Sequence, residues 1–258
     1  PFLLVSTALA WFGMNDIADA KASFAEQSII FQRRHNWIMC VLYTGTFGSF
    51  IGYSAGFPLL MKTQFPEVNA LQFAFLGPLV GALSRSMTGW MADKYGGGRV
   101  TFWVFIAMIA GVSGVLHFLN AGSFVGFFAM FMFLFFATGV GNASTFQMIP
   151  AIMRKEVARL EPTLSAGDLV KQSDKEAAAI IGFTSAIAAY GAFFIPKSFG
   201  TAIAVTGSPA LALYGFLAFY LSCIAITWWF YTRPGGLLFD VERGGGPQTP
   251  TSALKPVA

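Results

Sequence analysis

Arg85 stands well inside a long apolar run, whereas the rest of the 16 lysines and arginines keep to the segments between such runs or to their ends. A charge held in hydrocarbon is expensive, so an ionisable residue at such a position is a functional hypothesis by default. Seven residues separate it from Ala92, which places it ~10 Å along a helix from the nearer end, too deep for simple snorkelling. Gly77, Gly81, Arg85 and Gly89 recur every four residues. Small residues at that spacing mark a helix face that another helix approaches closely, which turns Arg85 toward protein rather than lipid. The apolar runs contain no Asp or Glu to neutralise it. An anionic ligand would. The guanidinium is a planar fork of donors, matched to a small planar oxyanion.

Tyr43 and Phe47, four apart on one face of another apolar run, come next. They lie ~9 and ~15 Å along their helix, a depth similar to that of Arg85. Aromatic walls beside a lone guanidinium suit the same planar anion. Phenylalanine is too abundant here, with 29 residues, for this pair to count without Arg85. The stretch from Gly139 through Asn142 to Gln147 is polar for the middle of a membrane and should face other helices or a cavity. Gly48, Gly52 and Gly56 form one small-residue stripe; Ala178, Gly182, Ala186 and Ala189, with Ser185 adjacent, form another. Both read first as close-packing faces.

Other chemistries find no support. Cys40 and Cys223 sit in apolar runs and read as small buried hydrophobes. His35 and His117 have no Cys, Asp or Glu at ligand spacing, so no metal site or cofactor is expected. No phosphate loop and no buried acid–base pair appears, which argues against an enzyme. The net charge of +4 resides in connecting segments, a pattern of membrane topology rather than nucleic-acid binding.

The elements that must carry these residues follow from composition. Apolar residues make up 55% of the 258, charged residues 11%, and mean hydropathy is +0.63. Soluble domains carry about a quarter charged residues, so a lipid bilayer is the natural solvent for this chain. Six stretches reach the ~20 residues that a spanning helix needs: 37–61, 70–92, 100–119, 123–153, 177–198 and 209–232. The expected fold is an all-α bundle of membrane helices. Residues 1–14 read as the end of a further, truncated helix, 15–36 as a loop, 37–232 as the six-helix bundle and 233–258 as a disordered tail; 155–175 reads as a polar connector. Apart from Arg85, only Lys62 and Lys197 fall on one side of this arrangement, against thirteen cations on the other. The positive-inside rule then places the tail in the cytoplasm.

Gly89-x-x-x-Asp93-Lys94-x-Gly96-x-x-Arg99 is similar to the loop signature of the major facilitator superfamily, between the second and third helices of each six-helix half. More specifically, the segment from Tyr43 to Gly52 resembles the seventh helix of nitrate/nitrite porters. Gly77 to Arg85 resembles their eighth, and Gly182 to Pro196, with Ser185 and Gly191, their glycine-rich signature in the eleventh. Ala186, Ala188 and Ala189 stand where a richer glycine run is typical. The resemblance implies the C-terminal half of a multi-pass transporter of the cytoplasmic (inner) membrane. Nitrate or nitrite would be bound by Arg85, with Tyr43 and Phe47 as its contacts, against an N-terminal half absent from this sequence that supplies a second arginine. Nitrate/nitrite antiport is the leading expectation, because the spans hold no carboxylate to carry a proton. Proton-coupled symport, a porter for another small anion, and a sensor built on a degenerate porter are the alternatives.

Overall fold

The computed structural model describes residues 2–13, 27–69 and 72–239. Every regular element among them is helical. α1 (Phe2–Gly13) is apolar and buries none of its 12 residues. Most of the expected loop 15–36 lies outside the described residues; its described part is a short 3-10 helix at Ser28–Gln32 and the start of α2. α2 (Arg34–Gln64) is α-helical to Tyr43, widens into a π-helical turn at Thr44–Gly48 and resumes at Ser49. Glycine at 45 is what the neighbouring helix demands, since a Cβ there would press on the Phe105 ring at 2.7 Å.

α3 (Leu76–Tyr95) and α4 (Gly97–Asn120) meet at Gly96, whose φ of 90° strains any residue with a Cβ. α5 (Phe124–Leu160) starts on Ser123, whose hydroxyl caps the Gly126 amide at 3.4 Å. α6 (Ala166–Ala189) opens on Ser165, which accepts from the Asp168 amide and donates to its carboxylate at 2.6 Å. The rod breaks at Tyr190 and continues as α7 (Gly191–Thr206). α8 (Ala210–Thr227) ends in a second π-turn, Trp228–Thr232.

Five of these rods are long and apolar enough to cross a membrane: α2, α4, α5, the α6–α7 run and α8 with its π-turn. The sixth expected span is helical too, but starts at Leu76 rather than Ala70. Ser84, Arg85, Ser86, Thr88, Asp93 and Lys94 dilute its apolar character. The expected polar connector 155–175 is mostly helix. α5 runs on to Leu160 and α6 begins at Ala166, because backbone hydrogen bonds and a good cap carry a helix past its apolar stretch. Of the expected tail, 240–258 lies outside the described residues. Residues 233–239 fold back, with the Leu237 amide donating to the Phe230 carbonyl and Leu238 buried.

α5 is the centre of the bundle and packs against α3, α4 and α6. α8 closes on α4, while the first part of α2 lies on α6 and the rest on α7. An aromatic layer of Tyr53, Phe57, Phe127, Phe131, Phe135 and Phe199, all fully buried, fills the interior. Helix association in lipid depends on such van der Waals fit and on small residues that admit close approach. Gly77 and Gly81 meet the Phe135 and Phe50 rings, and a Cβ at Gly139 would overlap Ser84 and the Gly81 carbonyl. Gly52 and Gly56 face α7 in the same way, and Gly48 faces the Ala188 carbonyl at the end of α6. Cys40 and Cys223 are buried free thiols.

Candidate functional site

Tyr43, 2% exposed, closes the regular first part of α2, and Phe47 lies in the π-turn that follows. Their rings stack with centroids 5.1 Å apart and 22° between planes. The Tyr43 hydroxyl donates to Asn142 Oδ1 on α5 at 2.9 Å. Two helices, α2 and α5, therefore meet at one buried phenolic oxygen.

Arg85 is exposed on this chain, with its guanidinium carbon 5.9 Å from the centroid of the Phe146 ring. The spacing argument turned it toward protein; among the described residues it lies at the rim of a helix contact. A strict four-residue repeat drifts about 40° per step around an α-helix. Gly77, Gly81 and Ser84 form the stripe packed on α5, and Ser84 donates to the Phe136 carbonyl at 3.1 Å. Arg85 lies about 80° round from Gly77, at the rim of that contact. Gly89, further round, is half-buried, and a Cβ there would stand 3.4 Å from Gln147 Nε2.

The polar stretch of α5 faces inward. Thr138, Asn142, Ser144 and Thr145 are buried. Thr145 bonds Thr46 at 2.9 Å and Ser144 bonds Thr101 at 2.8 Å. Asn142 Nδ2 and Gln147 Oε1 are buried without a hydrogen-bond partner. Sequence reasoning marked the polar stretch that ends at Gln147 but gave Phe146 no role of its own. The signal was available for Phe146, which follows Asn142 by four residues and so shares its helix face.

The two signature glycines separate. Gly191 is buried where α7 crosses α2, and a Cβ there would overlap the Gly48 carbonyl. Gly182 is exposed with nothing within 4 Å of a Cβ, and Ala178, Ala186 and Ala189 are exposed beside it. The stripe expected to pack thus meets no helix among the described residues. In the loop motif, Gly96 supplies the positive-φ turn, Asp93 is exposed in the last turn of α3, and Arg99 is half-buried in the first turn of α4. Lys94 lies 5.2 Å from the Tyr95 ring centroid. None of the four motif positions joins the cluster around Tyr43. Among the described residues, no group of three or more His, Cys, Asp or Glu could hold a metal.

A second polar centre was not anticipated. Arg33, ahead of α2, donates from Nε and Nη2 to the two oxygens of Glu176 on α6, both at 2.7 Å. Gln172 adds a bond to Glu176 at 2.8 Å. The hydrogen bond to Glu176 raises the Arg33 pKa against the desolvation that opposes it, with the charges of Glu176, Glu156 and Glu161 adding to the rise. His35 pairs with the Tyr231 hydroxyl at 3.0 Å, which gives it a structural partner.

No family profile matches the chain. The nitrate/nitrite transporter NarU of Salmonella typhimurium is 51% identical over 242 residues, 90% of this chain and 52% of that protein. NarU of Escherichia coli is 47% identical over 240 residues, again 90% and 52%. The probable nitrate/nitrite antiporter NarK2 of Thermus thermophilus is 35% identical over 242 residues, 91% of this chain and 50% of the relative. The chain spans about half the length of the curated relatives it matches.

Proposed function

Because this chain belongs, over nine-tenths of its length, to the nitrate/nitrite porter family, we propose that it forms one half of a secondary transporter that moves nitrate and nitrite across the cytoplasmic membrane. The anion sits against Arg85, between the Phe146 ring below the guanidinium and the stacked Tyr43–Phe47 pair. One observation carries this reading: an exposed guanidinium shares its surroundings with a buried, hydrogen-bonded tyrosine hydroxyl and an aromatic wall. The fork of Arg85 binds two oxygens of a planar anion, as a point-charge ammonium could not. The other half of the porter supplies the opposite wall and closes over the small-residue stripe of Ala178, Gly182, Ala186 and Ala189. Alternating access rocks the halves about this midplane site.

Nitrate/nitrite exchange is the coupling we favour. Glu176, the buried carboxylate of α6, is occupied by Arg33 and so is a poor proton carrier. The tail faces the cytoplasm, as the excess of cations on that side favours. The test is uptake by the full-length porter in proteoliposomes. Arg85→Lys is expected to lower nitrate uptake at least tenfold, and nitrite inside the vesicles is expected to speed nitrate entry with no pH gradient. Normal uptake by the lysine variant would end the site assignment, and strict dependence on a pH gradient would replace exchange with proton symport.

A further inference from the structure

The Tyr43 hydroxyl has one proton, and in this structure that proton is given to Asn142 Oδ1. Only lone pairs then remain on the phenolic oxygen, and lone pairs repel an anion. At the other end of the same carboxamide, Asn142 Nδ2 carries two protons and has no partner, in a residue 1% exposed. A buried donor left unmet forfeits its hydration without recovering a bond. The hydroxyls three residues on in each helix are engaged elsewhere: Thr46 and Thr145 bond each other, and Thr145 also donates to the Gly141 carbonyl at 2.6 Å. Half a turn of the carboxamide exchanges its oxygen and nitrogen in nearly the same volume. Nδ2 then donates to the Tyr43 oxygen, and the phenolic proton is released. The atom left without a partner becomes an acceptor, which buried protein tolerates better than an orphaned N–H.

We infer that Asn142 is a positioning residue that sets the direction of the Tyr43 proton. With the amide oxygen toward Tyr43, the tyrosine offers an anion nothing to bind. With the amide turned, Tyr43 becomes a donor to an anion held by Arg85. The geometry rests on the fixed approach of α2 to α5, where Tyr43 lies 2% and Asn142 1% exposed. This inference depends on the reading that Arg85 and Tyr43 hold the anion.

The test is a double-mutant cycle in the full-length porter, with nitrate uptake kinetics as the readout. Asn142→Leu keeps the volume and removes both amide roles. It is expected to raise the nitrate KM about tenfold, the size of one hydrogen bond to a charged group, with the maximal rate changed less than twofold. In the Tyr43→Phe background the same substitution should change KM less than twofold, since no proton remains to direct. Asn142→Ser, which can donate or accept, should keep KM within threefold of the parent. Nitrate-dependent thermal stabilisation of the purified protein gives the same comparison for any variant that reaches the membrane but transports poorly. An equal loss for Asn142→Leu in both backgrounds would show a packing role and overturn the inference while leaving the site intact. An unchanged nitrate KM for Tyr43→Phe alone would instead remove the site reading on which it rests.

Discussion

Two arginines in this chain meet their charge in opposite ways. Arg33, 9% exposed, is matched atom for atom by Glu176, which is itself 2% exposed. Arg85 is exposed and has an aromatic ring 5.9 Å away, and no ion pair with a carboxylate is formed by it among the described residues. A buried pair is assembled when the chain folds, and its two members then depend on each other. An arginine at the rim of a helix contact adds little to the fold and leaves its donors available. The two cations thus differ in what neutralises them: one joins helices, and the other keeps its donors available, as the proposed site requires.

The sharpest way to break this contrast is at Glu176. Glu176→Ala leaves Arg33 buried with only the 3.8 Å contact to the partly exposed Glu161, and we expect a loss of up to about 3–5 kcal/mol, read as thermal unfolding of the full-length porter in detergent. A loss below about 1 kcal/mol would mean that Arg33 escapes to water and that the two arginines are alike. The signature glycines extend the comparison at smaller size. Gly191→Ala forces a methyl onto the Gly48 carbonyl and should cost about 1–3 kcal/mol. Gly182→Ala meets nothing within 4 Å among the described residues, so any loss in the full-length porter comes from the other half alone and should stay below about 1 kcal/mol. Equal losses at the two positions would show that the other half packs on Gly182 as closely as α2 packs on Gly191. At the small end, Arg85→Gln should shift unfolding by less than about 0.5 kcal/mol while transport suffers. A large shift would make Arg85 a structural residue like Arg33.

The helices and the inward polar face of α5 were legible because apolar runs and their interruptions are local signals. Tyr43 and Phe47 followed from a four-residue spacing over a single turn, where drift is small. The same spacing extended over twelve residues, from Gly77 to Gly89, did not show that the accumulated drift carries Arg85 to the rim of the packed stripe, exposed on this chain. Arg33 and Glu176 are 143 residues apart, and nothing local ties them. Glu176 also escaped notice because it precedes the apolar run at Ala177, whereas the helix itself begins at Ala166. The partner of Tyr43 was half legible: Asn142 was marked as polar at depth, but which side chain it met required the crossing of α2 and α5.

The π-turn at Thr44–Gly48 has a consequence for the phase of α2. A wide turn holds one residue more than a regular one, and each residue of an α-helix advances about 100° around the axis. Removing a single residue there would let the helix heal into an unbroken rod while swinging everything from Ser49 onward through roughly that angle. Gly52 and Gly56 would leave Ile195 and Phe199, and Ser49 and Tyr53 would lose the Tyr220 hydroxyl they share at 2.7 and 2.6 Å. The extra residue therefore works as a phase shifter. It lets one rod address Asn142 on one clock and α7 and α8 on another, so the end that carries Tyr43 and the end that packs can be set independently.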